Sequence, residues 1–202
     1  IGSWFYRPQW QRRRLLQSAT ETRGGVIIFA DENGVGDALA ERLRDSRVRI
    51  VRSGRVFARE DRGFTVPLDD SAAYVELLRL VVQEDGAPES IIHLLNLSPP
   101  AADSPRSRLG ETMSRAFLSL LHLAQAIGEL QLTSPLQLTV VSSTLQWVSR
   151  DDTVEAEKAL LLGPVRVIPR EYPNVRCQSI DVEYPQNDGE RDRILTQLVA
   201  EI

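Results

Sequence analysis

Five short apolar runs alternate along this chain with segments whose apolar residues recur at three- and four-residue steps. VIIFA (26–30), VRIVRSG (48–54), SIIHLLNL (90–97), LQLTVVSS (136–143) and RCQSIDVE (176–183) read as strands. GDALAERLRD (36–45) reads as a helix. Asp69, Asp70 and Ser71 offer N-caps to a second, with Tyr74, Leu77, Leu78, Val81 and Val82 on one face. A long helix carries Met113, Phe117, Leu120, Leu121, Ala124 and Ile127, and TVEAEKALLLG (153–163) predicts a short one. Ile194, Leu195, Leu198, Val199 and Ile202 mark a closing helix. Several strands are apolar on both faces, so both faces of their sheet need cover. The expected class is α/β, with a mainly parallel sheet and helices on both faces.

The remaining segments read as connections. VFAREDRGFTVPL (56–68) reads as two short extended pieces around Arg62-Gly63. SPPAADSPRS (98–107) reads as a loop, and VRVIPREYPNV winds toward the last strand. Residues 1–24 read as an N-terminal extended segment and linker, and 25–202 as one unit without internal repeats. A chain of 202 residues buries roughly two thirds of its unfolded surface, enough for a sizeable core.

Charge and cysteine count exclude several functions. The net charge of −4 leaves no basic excess to neutralise phosphates, and Arg12–Arg14 is too short a run to supply one, so no nucleic-acid partner is expected. The single Cys177 excludes an internal disulfide and a cysteine-rich zinc site, which fits a cytoplasmic location. No apolar run approaches the ~20 residues of a membrane span, so no membrane association is expected. The N-terminus lacks a signal-peptide core and a starting Met, so the chain is expected to be cut from something longer.

The first strand ends in a glycine-containing turn, VIIFADENGVGDALAERL. A nucleotide site there needs glycines for close backbone approach and a helix N-terminus to supply N–H donors. The short-chain dehydrogenase pattern G-x-x-x-G-x-G places Ala30 at its first glycine and keeps Gly34 and Gly36. Asp31 and Glu32 would face the pyrophosphate. Like charges ~4 Å apart repel by about 1 kcal/mol in water and about 4 kcal/mol at a partly buried dielectric. A micromolar affinity is only about 8 kcal/mol. The glycines are therefore expected to make a tight turn rather than a phosphate loop.

The same family's chemistry needs a Ser after a central strand and a Tyr four residues before a Lys. A Tyr with its ordinary pKa near 10 is a poor acid–base at neutral pH unless the Lys shifts it. Ser142 and Ser143 end LQLTVVSS in the expected place, and Lys158 lies in VEAEKALLLG. Val154 stands where the Tyr belongs, and Tyr172 lies beyond the helix. Lys158 then reads as an exposed helix lysine, and the serines as strand-end residues. His93 and His122 fall inside an apolar strand and a long helix, with neither a metal-ligand spacing nor a G-x-S-x-G elbow. Arg52 and Arg55 follow the second strand, where a 2′-phosphate partner would stand, but exposed arginines are common. No catalytic, cofactor-binding or metal-binding residue is expected.

On these residues the chain resembles the structural, non-catalytic subdomain of the ketoreductase of type I modular polyketide synthases. The resemblance runs through WFYRPQWQR, GGVIIFADENGVGDALAERL and IIHLLNLS, and is most specific in EKALLLGPVRVIPREYPNVRCQSIDVE (157–183). It implies a truncated, degenerate Rossmann-like fold that binds no cofactor. Its partner would be a catalytic half that binds NADPH and reduces β-ketoacyl groups on an acyl carrier protein, within a multidomain synthase. Ala30, Asp31, Glu32 and Val154 are the departures such a half would show. Trp4, Tyr6 and Trp10 are candidates for the contact with the partner, or for capping this unit's own core. Two alternatives stay open: a pseudo-ketoreductase supporting a methyltransferase or dehydratase, and an active NAD(P)H-dependent reductase with a displaced acid.

Overall fold

The computed structural model describes residues 10–11, 24–43, 46–100 and 105–202. Trp4, Tyr6 and Arg12–Arg14 lie outside them. Seven strands form one sheet: β1 (Gly25–Phe29), β2 (Arg47–Ser53), β3 (Ala58–Glu60), β4 (Gly63–Val66), β5 (Pro88–Asn96), β6 (Leu136–Ser143) and β7 (Val175–Val182). Their order is β3-β4-β2-β1-β5-β6-β7. Every neighbouring pair is parallel except β3–β4. The α/β expectation holds, and the strand runs read from the sequence match within about two residues.

Helices α1 (Val35–Arg42), α2 (Ser71–Asp85), α3 (Pro105–Thr112), α4 (Ser119–Glu129), α5 (Leu162–Glu171) and α6 (Asp188–Glu201) make the connections and the end. One face of the sheet packs on α2, α4 and α5, with Phe29, Phe64, Leu77, Leu123 and Ile168 in its core. The other packs on α1 and α6 through Ile28, Leu39, Ile92 and Leu195. α2 starts where the cap residues predict, because the Asp70 side chain accepts a hydrogen bond from Ala72 N (3.0 Å).

Between β2 and β4 no helix crosses over. The chain runs out to β3 at the edge and returns as β4 between β3 and β2. The sheet is thus truncated on the α1 side. Polar groups cover that strip: Arg52 pairs with Asp37, and Arg62 reaches Glu41 at 3.6 Å. Gly63 is required there, since a Cβ would overlap the carbonyl oxygen of Ile50.

Three connections differ from the sequence reading. The long helix begins at Pro105, inside the expected loop; proline is tolerated at a first helical position, whose N–H has no intrahelical partner anyway. A π turn (Met113–Leu118) joins α3 to α4 and shifts the apolar phase, which leaves Met113 41% exposed. The segment VRVIPRE is helical rather than winding. Pro164 sits in the first turn of α5, and Pro169 forfeits one backbone bond near its end. That loss is offset by burying Leu161, Pro164 and Ile168.

Candidate functional site

The connections from β1 and from β5 leave in opposite directions, so a crevice opens at their C-terminal ends. In open α/β sheets this is where ligands bind. The β1–α1 turn forms its first wall. Gly34 adopts φ +83°, a backbone that favours glycine, and caps α1 without a side-chain bond. A Cβ on Gly36 would stand 2.8 Å from the Ala30 Cβ, so Gly36 lets α1 lie against the end of β1.

Asp31 turns back into this helix end. Its Oδ1 accepts from Gly36 N (2.7 Å) and its Oδ2 from Asn33 N (2.9 Å). The carboxylate is 7% exposed. An internal carboxylate therefore already occupies the Gly36 amide and faces the positive helix end that an external phosphate would use. Glu32, exposed beside it, pairs with Arg115 of the π turn, which also meets Glu111 at 2.8 Å.

The opposite wall overturns one expectation. Lys158 is 5% exposed, not a solvated helix lysine. Its ammonium donates to Ser143 O (2.9 Å), Ser98 Oγ (3.0 Å), Ser143 Oγ (3.2 Å) and Thr144 Oγ1 (3.2 Å), and pairs with Glu155 at 3.2 Å. Burial pushes its pKa down, and Glu155 opposes that shift. Arg108 stands 2.9 Å from Glu157 and 3.4 Å from Glu155. The Arg108–Glu157 contact is an ion pair by proximity, since neither Glu157 oxygen makes an aligned hydrogen bond. Lys158 faces inward because it lies on a 3-10 turn (Ala156–Leu161) folded under the end of β6.

Ser142 and Ser143 do end β6. Ser142 Oγ donates to Asp181 Oδ1 (2.8 Å), and Ser143 Oγ donates to Ser98 O (2.6 Å). Asp181 also accepts from Leu145 N (3.0 Å) and Gln146 N (2.8 Å), which ties the loop after β6 to the end of β7. Val154 lies in irregular backbone before the 3-10 turn, so it does not stand one helical turn from Lys158. Tyr172 is at the other end of the sheet, ahead of β7. Tyr184, missed in the sequence reading, lies near Asp31; burial and then the Asp31 charge raise its pKa, away from the neutral range.

A cleft of about 300 Å³ lies between these walls, reached by Glu32, Asn96, Ser98, Arg108, Arg115 and Lys158. Among the described residues, no tyrosine lines it. Among the described residues its cations are Arg108, Arg115 and Lys158, and each has a carboxylate partner.

The other candidates lie elsewhere. His93 is fully buried in β5, and Ser119 Oγ lies 2.9 Å from its Nε2. Since Ser119 Oγ donates to Arg115 O (2.6 Å), the Nε2–H donates to Ser119. Burial lowers the His93 pKa to about 3. His122 pairs with Gln125 (3.1 Å). Arg52 belongs to β2 and pairs with Asp37 and Glu60, and Arg55 is exposed just beyond. Cys177 is partly buried, with its pKa raised to about 11 by burial. Among the described residues, no group of three His, Cys, Asp or Glu side chains could hold a metal ion. No helix among them is long and apolar enough to cross a membrane.

A family model described as beta-ketoacyl synthase-like, N-terminal, matches residues 24–201. No curated protein matches the sequence. Among solved structures, the chain is similar to the adenylation, ketoreductase and pseudo-Asub multidomain structure of a keto acid-selecting NRPS module: 22% identity, TM-score 0.82, 95% of this chain and 16% of that one. It is also similar to an N-terminal ketoreductase from the macrolactin assembly line: 15% identity, TM-score 0.72, 96% of this chain and 39% of that one. A short-chain dehydrogenase from Mycobacterium smegmatis shares the fold at 15% identity and TM-score 0.63, over 94% of this chain and 90% of that one. The chain thus spans well under half of the first two proteins.

Proposed function

This chain belongs to the beta-ketoacyl synthase-like, N-terminal family, and from that premise we propose that it is the non-catalytic half of a ketoreductase in a multidomain synthase. It supports an NADPH-dependent catalytic half that reduces β-ketoacyl groups on an acyl carrier protein. The likeness to two ketoreductase-containing proteins supports the ketoreductase-related part of this reading.

The observation that carries the non-catalytic part is the Asp31 carboxylate on the amides of Asn33 and Gly36. A dinucleotide pyrophosphate does not fit there: it would displace a buried anion from its donors or share them with it. The would-be catalytic pair fails independently. Lys158 is spent on a structural network and Val154 carries no proton.

Two measurements test the proposal. Calorimetric titration of this chain with NADPH is expected to give no binding heat up to millimolar cofactor; micromolar binding would overturn the reading. Co-expression with the catalytic half of the same polypeptide is expected to raise that half's yield and reductase activity. A catalytic half equally stable and active alone would remove the scaffold role.

A further inference from the structure

The loop after β6 carries two large apolar side chains into solvent. Trp147 is 65% exposed and Val148 59%. Trp10, also exposed, donates its indole N–H to Trp147 O (3.1 Å). The loop is nonetheless held on both flanks. Asp181 accepts from Leu145 N (3.0 Å) and Gln146 N (2.8 Å) on one side. On the other, Asp152 accepts from Val148 N (2.8 Å), Ser149 N (2.6 Å) and Ser149 Oγ (2.8 Å). A tryptophan on a backbone fixed in this way loses little further freedom when a partner covers it. Tryptophan is also among the residues that most often dominate protein interfaces.

The surroundings specify the chemistry of that partner. Val148 lines a cleft of about 650 Å³ at the ends of β6 and β7, together with Asp151, Asp152, Asp181, Glu183 and Glu190, and among the described residues no Lys or Arg lines it. Phosphates of nucleic acid or of an anionic membrane are repelled by such a cleft. A two-fold contact with a second copy would set the same carboxylates against each other.

We propose that Trp147 and Val148 form a docking anchor for the catalytic ketoreductase half, which meets them with an apolar pocket flanked by Lys or Arg side chains. This rests on the scaffold reading above and adds to it where the partner seats. Trp147 and Val148 contribute to the contact, and the carboxylates beside them set its charge preference.

The test is co-expression of this chain with the catalytic half of the same polypeptide as separate chains, followed by calorimetric measurement of their association. The double variant W147S/V148S is expected to weaken association at least tenfold while its thermal unfolding stays as in the wild type, since both side chains are exposed. D151K/E183K is expected to weaken it further and to lessen the loss of affinity with rising salt. V56S removes another exposed valine, on the loop after β2, and is expected to change nothing. Association unaffected by W147S/V148S would overturn the docking site while leaving the scaffold reading intact. Two halves that do not associate at all would overturn both. Concentration-dependent dimers of this chain that W147S/V148S abolishes would assign the patch to a second copy and overturn the proposal.

Discussion

Replacing Asp31 with alanine is the most direct perturbation of the β1–α1 turn. The variant removes one buried carboxylate and leaves two backbone N–H groups, on Asn33 and Gly36, without their present acceptor. Loss of a cap costs typically about 1 kcal/mol and up to about 2. Hydrogen bonds to a charged acceptor are worth about 1.5–3 kcal/mol each, but water reaches the exposed Asn33 more easily than buried Gly36. The expected loss is therefore about 2–3 kcal/mol, set mainly by the Gly36 amide. For a chain of this size each kcal/mol moves the melting temperature by roughly 2–4 °C, so the variant should melt about 4–12 °C lower. Asp31→Asn keeps one carbonyl acceptor and should lose about half as much. Urea unfolding followed by circular dichroism gives both values. The same variant frees a helix N-terminus, so pyrophosphate at millimolar concentration should stabilise Asp31→Ala more than the wild type. A variant within about 0.5 kcal/mol of wild type, or equal stabilisation of both proteins by pyrophosphate, would refute the internal-anion argument.

Other perturbations read different parts of the molecule. Lys158→Met strips the cation from the buried Glu155 and from the Ser98, Ser143 and Thr144 oxygens, and should cost about 3–5 kcal/mol by urea unfolding, as breaking buried pairs does. Val154→Tyr should give no reductase activity with NADPH and a β-ketoacyl thioester, measured as loss of NADPH absorbance, because residue 154 lies off the helical register of Lys158. His93 supplies a pH dependence. Its folded pKa of about 3 lies below the unfolded value near 6.5, so the unfolded chain takes up the proton first. Its contribution is fully present above pH 6.5 and is lost as pH falls toward 3, by about 2 kcal/mol at pH 5. His93→Leu should flatten that part of the stability profile between pH 7 and 5.

The strands were legible because burial on both faces writes continuous apolar runs such as VIIFA and SIIHLLNL into the sequence. The caps of α2 were legible because capping is a contact between neighbours. Met113 was misplaced because a π turn adds a residue to the helical period, which a fixed 3.6-residue spacing cannot anticipate. The helix through Pro164 and Pro169 escaped because local propensity opposes it and the burial of Leu161 and Ile168 decides it. Arg108, Ser98, Glu157 and Asp181 left no local signal, since their partners are distant in the chain.

By itself the sequence determined the α/β class and the turn at Gly34 and Gly36. It also carried the expectation that Asp31 and Glu32 oppose a phosphate there, because each reading depends on residue type at short spacing. The tertiary structure alone decided where the charges go. Asp31 folds onto the Gly36 amide at the start of α1, and Lys158 turns inward beneath Ser143. Trp147, fixed between Asp181 and Asp152, stays in solvent. Burial and hydrogen-bond partners are properties of chain segments brought together from far apart, so no spacing along the chain encodes them.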